Sequence, residues 1–291
     1  MLGVLKADVD SLGEAIAATL EREKSDGAQA MRRFSADLDQ FFAVTLDQEK
    51  QRPQKTGEQW ELIYTVFSGG DDMLVVGPWN VVLDLAGHMR QLFEQSFGQA
   101  ASNRDSANPL TISAGIAIIK PKYPIHFAAA QADELLDRAK GESAPGADKP
   151  KDQCSALGHV WKWDDHDKIM NDGKQLADWV DAGVIQRGWV HTLLELALLR
   201  RGEAGPEYAG VNPAVASSRL AYHVARNWPT KRDNPHNDRD KARNAAREWI
   251  DTVLGDIDAP PNQQRGRVKY MPVFLRYALL ATRSGGSEDK A

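Results

Sequence analysis

Four aspartates in two short stretches have the residue types and spacing for metal chemistry. Asp8 and Asp10 end the first apolar run, "LGVLKADVD", and Asp71 and Asp72 follow two glycines in "VFSGGDDMLVV". Clustered carboxylates repel one another. Unless a cation is present, this repulsion raises the pKa of one of the carboxyl groups or destabilises the fold. Mg²⁺ or Mn²⁺ resolves this conflict because it takes one or two carboxylates and fills its other positions with water and substrate phosphates. Such ions can activate an attacking oxygen and stabilise a leaving pyrophosphate.

Two glycines precede the second aspartate pair. Gly69 and Gly70 permit positive φ and remove side chains, so backbone N–H groups or a nucleotide can approach closely. A Gly-Gly-Asp-Asp sequence also forms plain type I′ hairpin turns. The presence of "ADVD" at the end of a preceding strand favours the site over the plain turn.

The elements that must position these residues follow from hydrophobic periodicity. We predict strands over 2–9, 60–67, 73–79 and 110–119, helices over 11–23, 28–50, 80–97 and 124–140, and a short hairpin within 154–163. This βαββαβ order is typical of a ferredoxin-like sheet backed by helices, so we expect an α+β fold. In such a sheet the first strand is central and lies beside the hairpin, which would bring Asp8 and Asp10 near Asp71 and Asp72.

The length predicts a second domain. A chain of 291 residues is about twice the usual single-domain size of roughly 150. From about residue 165 onward strands are scarce and five segments show helical spacing of apolar residues. We therefore expect a sheet domain over 1–165 and a mainly helical domain over 166–291.

Composition narrows the class of protein. The net charge of −5 argues against a protein that binds nucleic acid through the electrostatic field of its whole surface. A local basic patch is compatible with this net charge. The one cysteine, Cys154, excludes an internal disulfide and a multi-cysteine metal site. Early charges rule out a signal peptide at the start, and no apolar run reaches the roughly 20 residues that span a bilayer. We expect a cytoplasmic protein without membrane contact.

Three motifs together resemble a known family. "LGVLKADVDSLG", "VFSGGDDMLVVGPW" and "ISAGIAIIKPKYPIHFAAAQADELLDRAK" are similar to the second Palm domain of the large polymerase/cyclase-like subunit of type III CRISPR effector complexes. The later "ALGHVWKWDDH" and "GWVHTLLELALLRRG" resemble the end of that Palm and the helical fourth domain after it. The resemblance runs from residue 2 to about 230, and more loosely to the end.

The resemblance implies a cyclic-oligoadenylate synthetase. Members of the family use ATP and Mg²⁺ or Mn²⁺, join the 3′-hydroxyl of one adenylate to the α-phosphate of the next, and release pyrophosphate. The residues implied by motif are catalytic groups and metal ligands (Asp8, Asp71 and Asp72) and nucleotide contacts (Ser68, Gly69, Gly70, Asp10 and Lys140). A lysine at the end of a helix, as Lys140 is, also interacts favourably with the helix dipole.

The family also implies partners. Its large subunit works with other effector subunits, crRNA and target RNA, and target RNA is expected to activate it. Upstream the subunit carries an HD domain, a first Palm and a zinc segment, and its two ATP molecules lie between the two Palms. The present chain starts on the catalytic strand, so we expect it to be inactive alone, or to complete its site with another chain or a homodimer.

Two other functions remain open. A nucleotide cyclase of the GGDEF or minimal CRISPR-polymerase kind would make cyclic dinucleotides as a homodimer, although Asp72 and Met73 stand where the GGDEF motif has Glu and Phe. The second alternative is a non-catalytic scaffold fragment of the effector complex. "WDDHDK" places His166 among acids, as in an HD phosphohydrolase, but a helix-start cap is the favoured interpretation of this one cluster.

Overall fold

A computed structural model describes residues 1–22, 26–51, 60–98, 110–232, 237–256 and 267–283. The chain divides into two units, Met1–His166 and Asp167–Ala291. The first unit is built on a sheet, and the second is helical. In the described part of the chain, no helix has both the length and the apolar character that crossing a membrane requires.

The first unit contains one six-stranded sheet. Its strands are β1 (Leu2–Val9), β2 (Tyr64–Gly69), β3 (Asp72–Pro78), β4 (Ile112–Ile119), β5 (Gln153–Ala156) and β6 (His159–Lys162). They lie side by side in the order β2-β3-β1-β4-β5-β6. β1 is antiparallel to both β3 and β4. The first strand is thus central and lies beside the hairpin of β2 and β3, as the βαββαβ order predicts.

Helices of the first unit connect and cover the strands. They are α1 (Leu12–Arg22), α2 (Gly27–Asp39), α3 (Leu46–Gln51), α4 (Trp79–Phe97) and α5 (Ile125–Gly141). α5 lies very close to β4 at Gly115, where a Cβ atom would be 2.2 Å from the Leu136 nitrogen and 2.3 Å from the Ala132 oxygen. Gly115 therefore sets how closely the C-terminal half of α5 approaches the sheet.

Two of the predicted elements are wrong in detail. The single helix predicted over 28–50 is interrupted by a π-helical turn, Gln40–Thr45, between α2 and α3. This wider turn accompanies the burial of two successive side chains, Phe41 and Phe42. The strand predicted over 60–67 instead begins at Tyr64, because Trp60–Leu62 forms a 3₁₀ turn that buries Trp60.

The second unit is made of helices around an aromatic core. They are α6 (His166–Asp181), α7 (Arg187–Arg201), α8 (Val215–Asn227), α9 (Asp238–Asp256) and α10 (Met271–Ala281). Trp249 lies at the centre of this core, 6.2 Å from Trp228 and 5.6 Å from Phe274 between ring centroids. Its indole N–H and the Arg267 guanidinium both donate to the buried Asp172 carboxylate, at 3.0 and 2.8 Å. These partners serve packing in the second unit.

Candidate active site

Two carboxylates face each other across the centre of the sheet. In the antiparallel pairing of β1 and β3, Asp8 lies directly opposite Asp72. Directly paired residues point to the same face of a sheet, with Cβ atoms about 4.5–5.5 Å apart. The side chain of Asp8 keeps 27% of its surface exposed, and Asp72 is half-buried. The structure thus brings together two of the three predicted metal ligands.

The hairpin tip leaves open space beside these carboxylates. Gly70 has φ of +66°, a conformation that glycine adopts without strain. Gly69 belongs to β2 and does not need positive φ, yet a Cβ atom there would meet nothing within 4 Å. The fold therefore has room for a side chain at Gly69, which leaves that space for a ligand.

Asp71 and Asp72 have different surroundings. Burial, followed by the neighbouring charge of Asp71, raises the pKa of Asp72 above its ordinary value, while Lys6 acts in the opposite direction. The backbone oxygen of Asp71 accepts a hydrogen bond from the Val9 N–H at 3.0 Å. This bond ties the hairpin tip to the end of β1. The raised pKa of Asp72 indicates a site where a cation would relieve the burial of negative charge.

Lys140 reaches the carboxylate pair from the end of α5. Its ammonium group forms an ion pair with Asp8 and donates to the Val9 carbonyl at 3.3 Å. Burial, then the positive charges of Lys151 and Lys6, lower the pKa of Lys140 to about 8. The carboxylate of Asp8 acts in the opposite direction because it favours the charged lysine. Three lysines therefore lie around the predicted site.

The remaining hairpin residues contact the π-helical turn and the helix before it. The Ser68 hydroxyl donates to the Phe42 carbonyl at 2.6 Å, and the Gly70 N–H donates to the Asp39 carboxylate at 3.1 Å. Behind them is a cavity of about 150 Å³ with mostly apolar walls; it is lined by Phe42, Ala43, Leu46, Asp47, Thr65, Ser68, Met73 and Leu85. Ser68 pairs with Met73 and thus borders a pocket on the sheet face opposite to Asp8 and Asp72, so its predicted nucleotide contact stays a prediction.

Asp10 is not placed with the other three aspartates. Only 3% of the residue is exposed, and one carboxylate oxygen, Oδ2, accepts hydrogen bonds from Thr111, Ser113 and the Asp152 N–H at 2.8 to 3.0 Å. Burial raises the pKa of Asp10, and these hydrogen bonds counteract the increase. The nucleotide contact assigned to Asp10 stays a prediction, since its carboxylate is buried and its Oδ2 is occupied by protein donors.

Sequence reasoning missed two lysines. Lys6 precedes Asp8 by two residues on the same strand face and pairs with Asp133 of α5 at 2.5 Å. The period of two in a strand was the signal that would have found it. Lys151 lies between α5 and β5, in a segment without periodicity, and donates to the Ser11 hydroxyl at 2.7 Å. No sequence pattern indicates that contact.

His166 is a core residue. Its Nδ1 accepts a hydrogen bond from the Trp161 indole at 3.1 Å, and its Nε2 lies 3.0 Å from the Leu83 carbonyl. Only 2% of the residue is exposed. These contacts assign it to packing within the first unit and leave no support for an HD-type site.

The donor set fits a hard divalent cation. Asp8 and Asp72 supply carboxylate oxygens, and Mg²⁺ binds through one or two carboxylates together with water and phosphate oxygens. Within the described ranges, no group of three or more His, Cys, Asp or Glu side chains is placed to hold a metal. The ligand role of Asp71 therefore stays a prediction, and the pair would need oxygens from substrate or solvent.

Comparison with known proteins assigns the family. The family model for the second palm domain of Cas10/Cmr2 matches residues 1–149, slightly more than half of the chain. The chain therefore belongs to the Cas10/Cmr2 second palm domain family. The match covers β1, the hairpin and α5, which carry the carboxylate pair and Lys140.

Individual relatives agree with this assignment. A CRISPR system single-strand-specific deoxyribonuclease Cas10/Csm1 (subtype III-A) from Methanocaldococcus jannaschii is 32% identical over 145 residues, which cover 48% of this chain and 17% of the relative. A Csm1-Csm4 cassette in complex with cA4 has a TM-score of 0.64 and 20% identity over 97% of this chain and 36% of that chain. A Csm1-Csm4 cassette in complex with AMPPNP has a TM-score of 0.62 and 19% identity, over 97% of this chain and 36% of that chain.

These matches establish fold and family. The chain spans only a fraction of the length of the proteins that it matches, and at 19–20% identity the structural likeness concerns the fold. The predicted resemblance to the second Palm of the type III CRISPR large subunit is confirmed. The α+β fold, with a Palm sheet followed by a helical part, is confirmed as well.

Proposed function

We propose that this chain provides the catalytic Palm of a cyclic-oligoadenylate synthetase in a type III CRISPR effector complex. The reaction would join the 3′-oxygen of one adenylate to the α-phosphorus of the next ATP. The bond from that phosphorus to the β-phosphate bridging oxygen breaks, pyrophosphate leaves, and the hydroxyl proton passes to solvent. ATP would be the substrate, with Mg²⁺ or Mn²⁺ as the cofactor.

One observation carries the proposal. Asp8 lies directly opposite Asp72 in the register of β1 and β3, and Lys140 reaches Asp8 from α5. A pair of carboxylates with a neighbouring ammonium group is suited to a divalent cation together with a polyphosphate. Structures of similar fold have been determined with cA4 and with AMPPNP, an ATP analogue. The arrangement of carboxylates and lysine is suited to phosphate-containing ligands of this kind.

Each residue would have a distinct role. Asp8 and Asp72 would hold the cation, which when bound would stabilise negative charge on the phosphates and activate the attacking oxygen. Lys140 would exchange part of its contact with Asp8 for phosphate oxygens. The open space at Gly69 would let the triphosphate approach the hairpin backbone.

We further propose that a second Palm surface completes the site. On the face that carries Asp72, the edge strand β2 exposes 71% of Tyr64 and 41% of Phe67. Phe67 pairs with Leu74 and Tyr64 with Val76, so these apolar side chains form a continuous strip beside the carboxylate. The second surface would come from a companion Palm or from another copy of this chain. Effector subunits, crRNA and target RNA would act through that assembly.

Product analysis tests the proposal. The full chain is incubated with ATP or GTP and Mg²⁺ or Mn²⁺, alone and within a reconstituted effector complex with target RNA, and products are separated by liquid chromatography with mass detection. We expect cyclic oligoadenylates that are lost in the double variant Asp71→Ala/Asp72→Ala. Glu134→Gln, an exposed carboxylate change on α5, is the matched control and should retain activity.

Other products would contradict the proposal in different ways. A cyclic dinucleotide made by the isolated chain would identify a GGDEF-like cyclase. Partner binding without any product, in every condition, would identify a scaffold fragment. Equal cyclic-oligoadenylate yield from the wild type and the double aspartate variant would place the chemistry elsewhere in the complex.

A further inference from the structure

Three non-glycine residues with left-handed backbone meet at the end of β1. Ser11 has φ of 54°, Lys151 has 70° and Asp152 has 50°. Residues other than glycine seldom adopt such values, and they keep them only where the surroundings enforce the conformation. Two of the three are consecutive, in the segment between α5 and β5. The structure therefore has a strained connection next to the strand that carries Asp8.

Several hydrogen bonds enforce this conformation. The Lys151 N–H donates to the Ala139 carbonyl at 3.2 Å, and the Asp152 N–H donates to the Asp10 carboxylate at 2.9 Å. The Lys162 ammonium donates to the Lys151 carbonyl at 2.5 Å. Asp10 is the only charged acceptor among these hydrogen bonds. Its carboxylate also accepts hydrogen bonds from Ser113 of β4 and from Thr111, the residue before β4.

The strained segment directs Lys151 toward the candidate site. The Lys151 ammonium donates to the Ser11 hydroxyl, two residues beyond Val9, whose carbonyl accepts from Lys140. The neighbouring Asp152 carboxylate pairs with Arg90 of α4 at 2.8 Å. The carboxylate nearest to Lys151 in the sequence is thus engaged by another cation. Lys140 and Lys151 together present two ammonium groups, one at the last residues of β1 and one just beyond its end.

We propose that Lys151 is a second phosphate-binding cation of the nucleotide site, and that Asp10 is the positioning residue that holds the left-handed Lys151–Asp152 segment in place. The inference rests on the proposed function for its ligand, a nucleoside triphosphate. It gives Asp10 a structural reason to be a buried carboxylate, because an anion binds a backbone N–H more strongly than a neutral acceptor does. Asp10 itself does not touch the nucleotide.

Binding of AMPPNP to the full chain in Mg²⁺, measured by calorimetry, tests the role of Lys151. Lys151→Met should weaken binding about 10-fold, the value of one charge-assisted hydrogen bond. Lys149→Met, an exposed lysine two residues earlier, is the matched control and should bind as the wild type does. Equal affinities of the Lys151 and Lys149 variants would overturn the proposal.

Lys151→Gly separates a binding role from a packing role. Glycine relieves the left-handed strain but removes the ammonium group, so the thermal midpoint should stay level or rise while AMPPNP affinity falls about 10-fold. A side chain that served only the fold would give a lower thermal midpoint with unchanged affinity. That result would contradict the proposal.

A double-mutant cycle tests the link to Asp10. If Asp10 acts through Lys151, Asp10→Asn should weaken AMPPNP binding in the wild type and have little further effect in Lys151→Met. Additive effects would overturn the positioning role. If Asp10→Asn does not fold, Ser113→Ala, which removes one of the donors to Asp10, replaces it in the cycle with the same expectations.

The outcomes also separate this inference from the proposed function. If AMPPNP binding needs Asp72 and Mg²⁺ but is indifferent to Lys151, the inference fails and the proposed function stands. If the cycle behaves as expected but no effector complex makes cyclic oligoadenylate, the phosphate site stands and the proposed product is wrong. If the wild type binds AMPPNP neither alone nor within the reconstituted effector complex, both fail.

Discussion

Asp8 and Asp10 are identical residues two positions apart, and the structure gives them opposite surroundings. Asp8 is partly exposed, faces Asp72 across the sheet and pairs with Lys140. Asp10 is 3% exposed and receives three hydrogen bonds on one oxygen. In a regular strand the two side chains would share a face. The strand ends at Val9, and the left-handed Ser11 follows Asp10.

The difference separates two uses of a carboxylate. Around Asp8 and Asp72 the compensating groups are lysine side chains, Lys140 and Lys6, which are partly exposed and can be exchanged for a cation. Around Asp10 hydroxyl and backbone donors converge on one buried oxygen, Oδ2, which makes the residue a structural anchor. Residue type and spacing are alike in both places, so the donors around each group decide its role.

The largest expected effect comes from removing the charge of Asp72. Asp72→Asn should lower the rate of product formation more than about 100-fold, because changes to groups that only support metal ligands already cost about 10- to 100-fold. Since burial and Asp71 raise the pKa of Asp72, ionised Asp72 opposes folding. The thermal midpoint of Asp72→Asn in EDTA at neutral pH should therefore match or exceed that of the wild type. A lower midpoint together with full activity would contradict this account.

Asp10→Ala should mainly affect stability. It leaves buried donors from Ser113 and Asp152 without their acceptor, so the free energy of unfolding should fall by about 3 kcal/mol. Asp8→Ala is the matched variant, and it should cost only about 1 kcal/mol because its ion pair is partly exposed. Urea denaturation followed by circular dichroism measures both. Equal losses would remove the distinction between the two aspartates.

Gly115→Ala should disturb both regions through α5. A Cβ atom there would clash with the helix backbone, and overpacking of this kind costs about 1–3 kcal/mol. Because α5 also carries Lys140, binding of AMPPNP should weaken as the helix moves outward. Gly141→Ala lies on the same helix, where a Cβ atom meets nothing within 4 Å, and should change neither quantity. Thermal melting and calorimetry of the two variants provide the test.

The smallest effect in this series is expected at Lys140. Lys140→Met removes a cation beside Asp8, and AMPPNP affinity should fall about 10-fold through the loss of one charge-assisted hydrogen bond. Lys120→Met, an exposed lysine before α5, is the control. Unchanged affinity in Lys140→Met would show that this lysine serves only its ion pair with Asp8.

Much of the fold could be predicted because its signals are local. Strand alternation and helical spacing located β1, β3, β4, α4 and α5, and their order predicted a central first strand. The π-helical turn at Gln40–Thr45 could not be predicted, because it depends on packing that buries both Phe41 and Phe42. Neighbouring residues of a helix rarely lie on the same face. The local pattern of apolar residues therefore gave no reason to interrupt the helix predicted over 28–50.

The site was predictable only in part. Strand order predicted that the ends carrying Asp8 and Asp10 would meet the hairpin tip with Asp71 and Asp72, and the register pairs Asp8 with Asp72. The burial of Asp10 and the position of Lys151 depend on left-handed backbone at Ser11, Lys151 and Asp152. None of these is glycine, so residue type did not indicate the conformation. The contacts of Asp10 come from residues about 100 to 140 positions away in the chain.

The most direct test of the central claim is Mn²⁺ binding to the full chain in the presence of AMPPNP, followed by electron paramagnetic resonance. We predict that the wild type and Asp10→Asn take up Mn²⁺ with the nucleotide, and that Asp8→Asn and Asp72→Asn do not. Such a pattern would assign the cation to the pair across β1 and β3. Undiminished Mn²⁺ binding in both Asp8→Asn and Asp72→Asn would contradict the account.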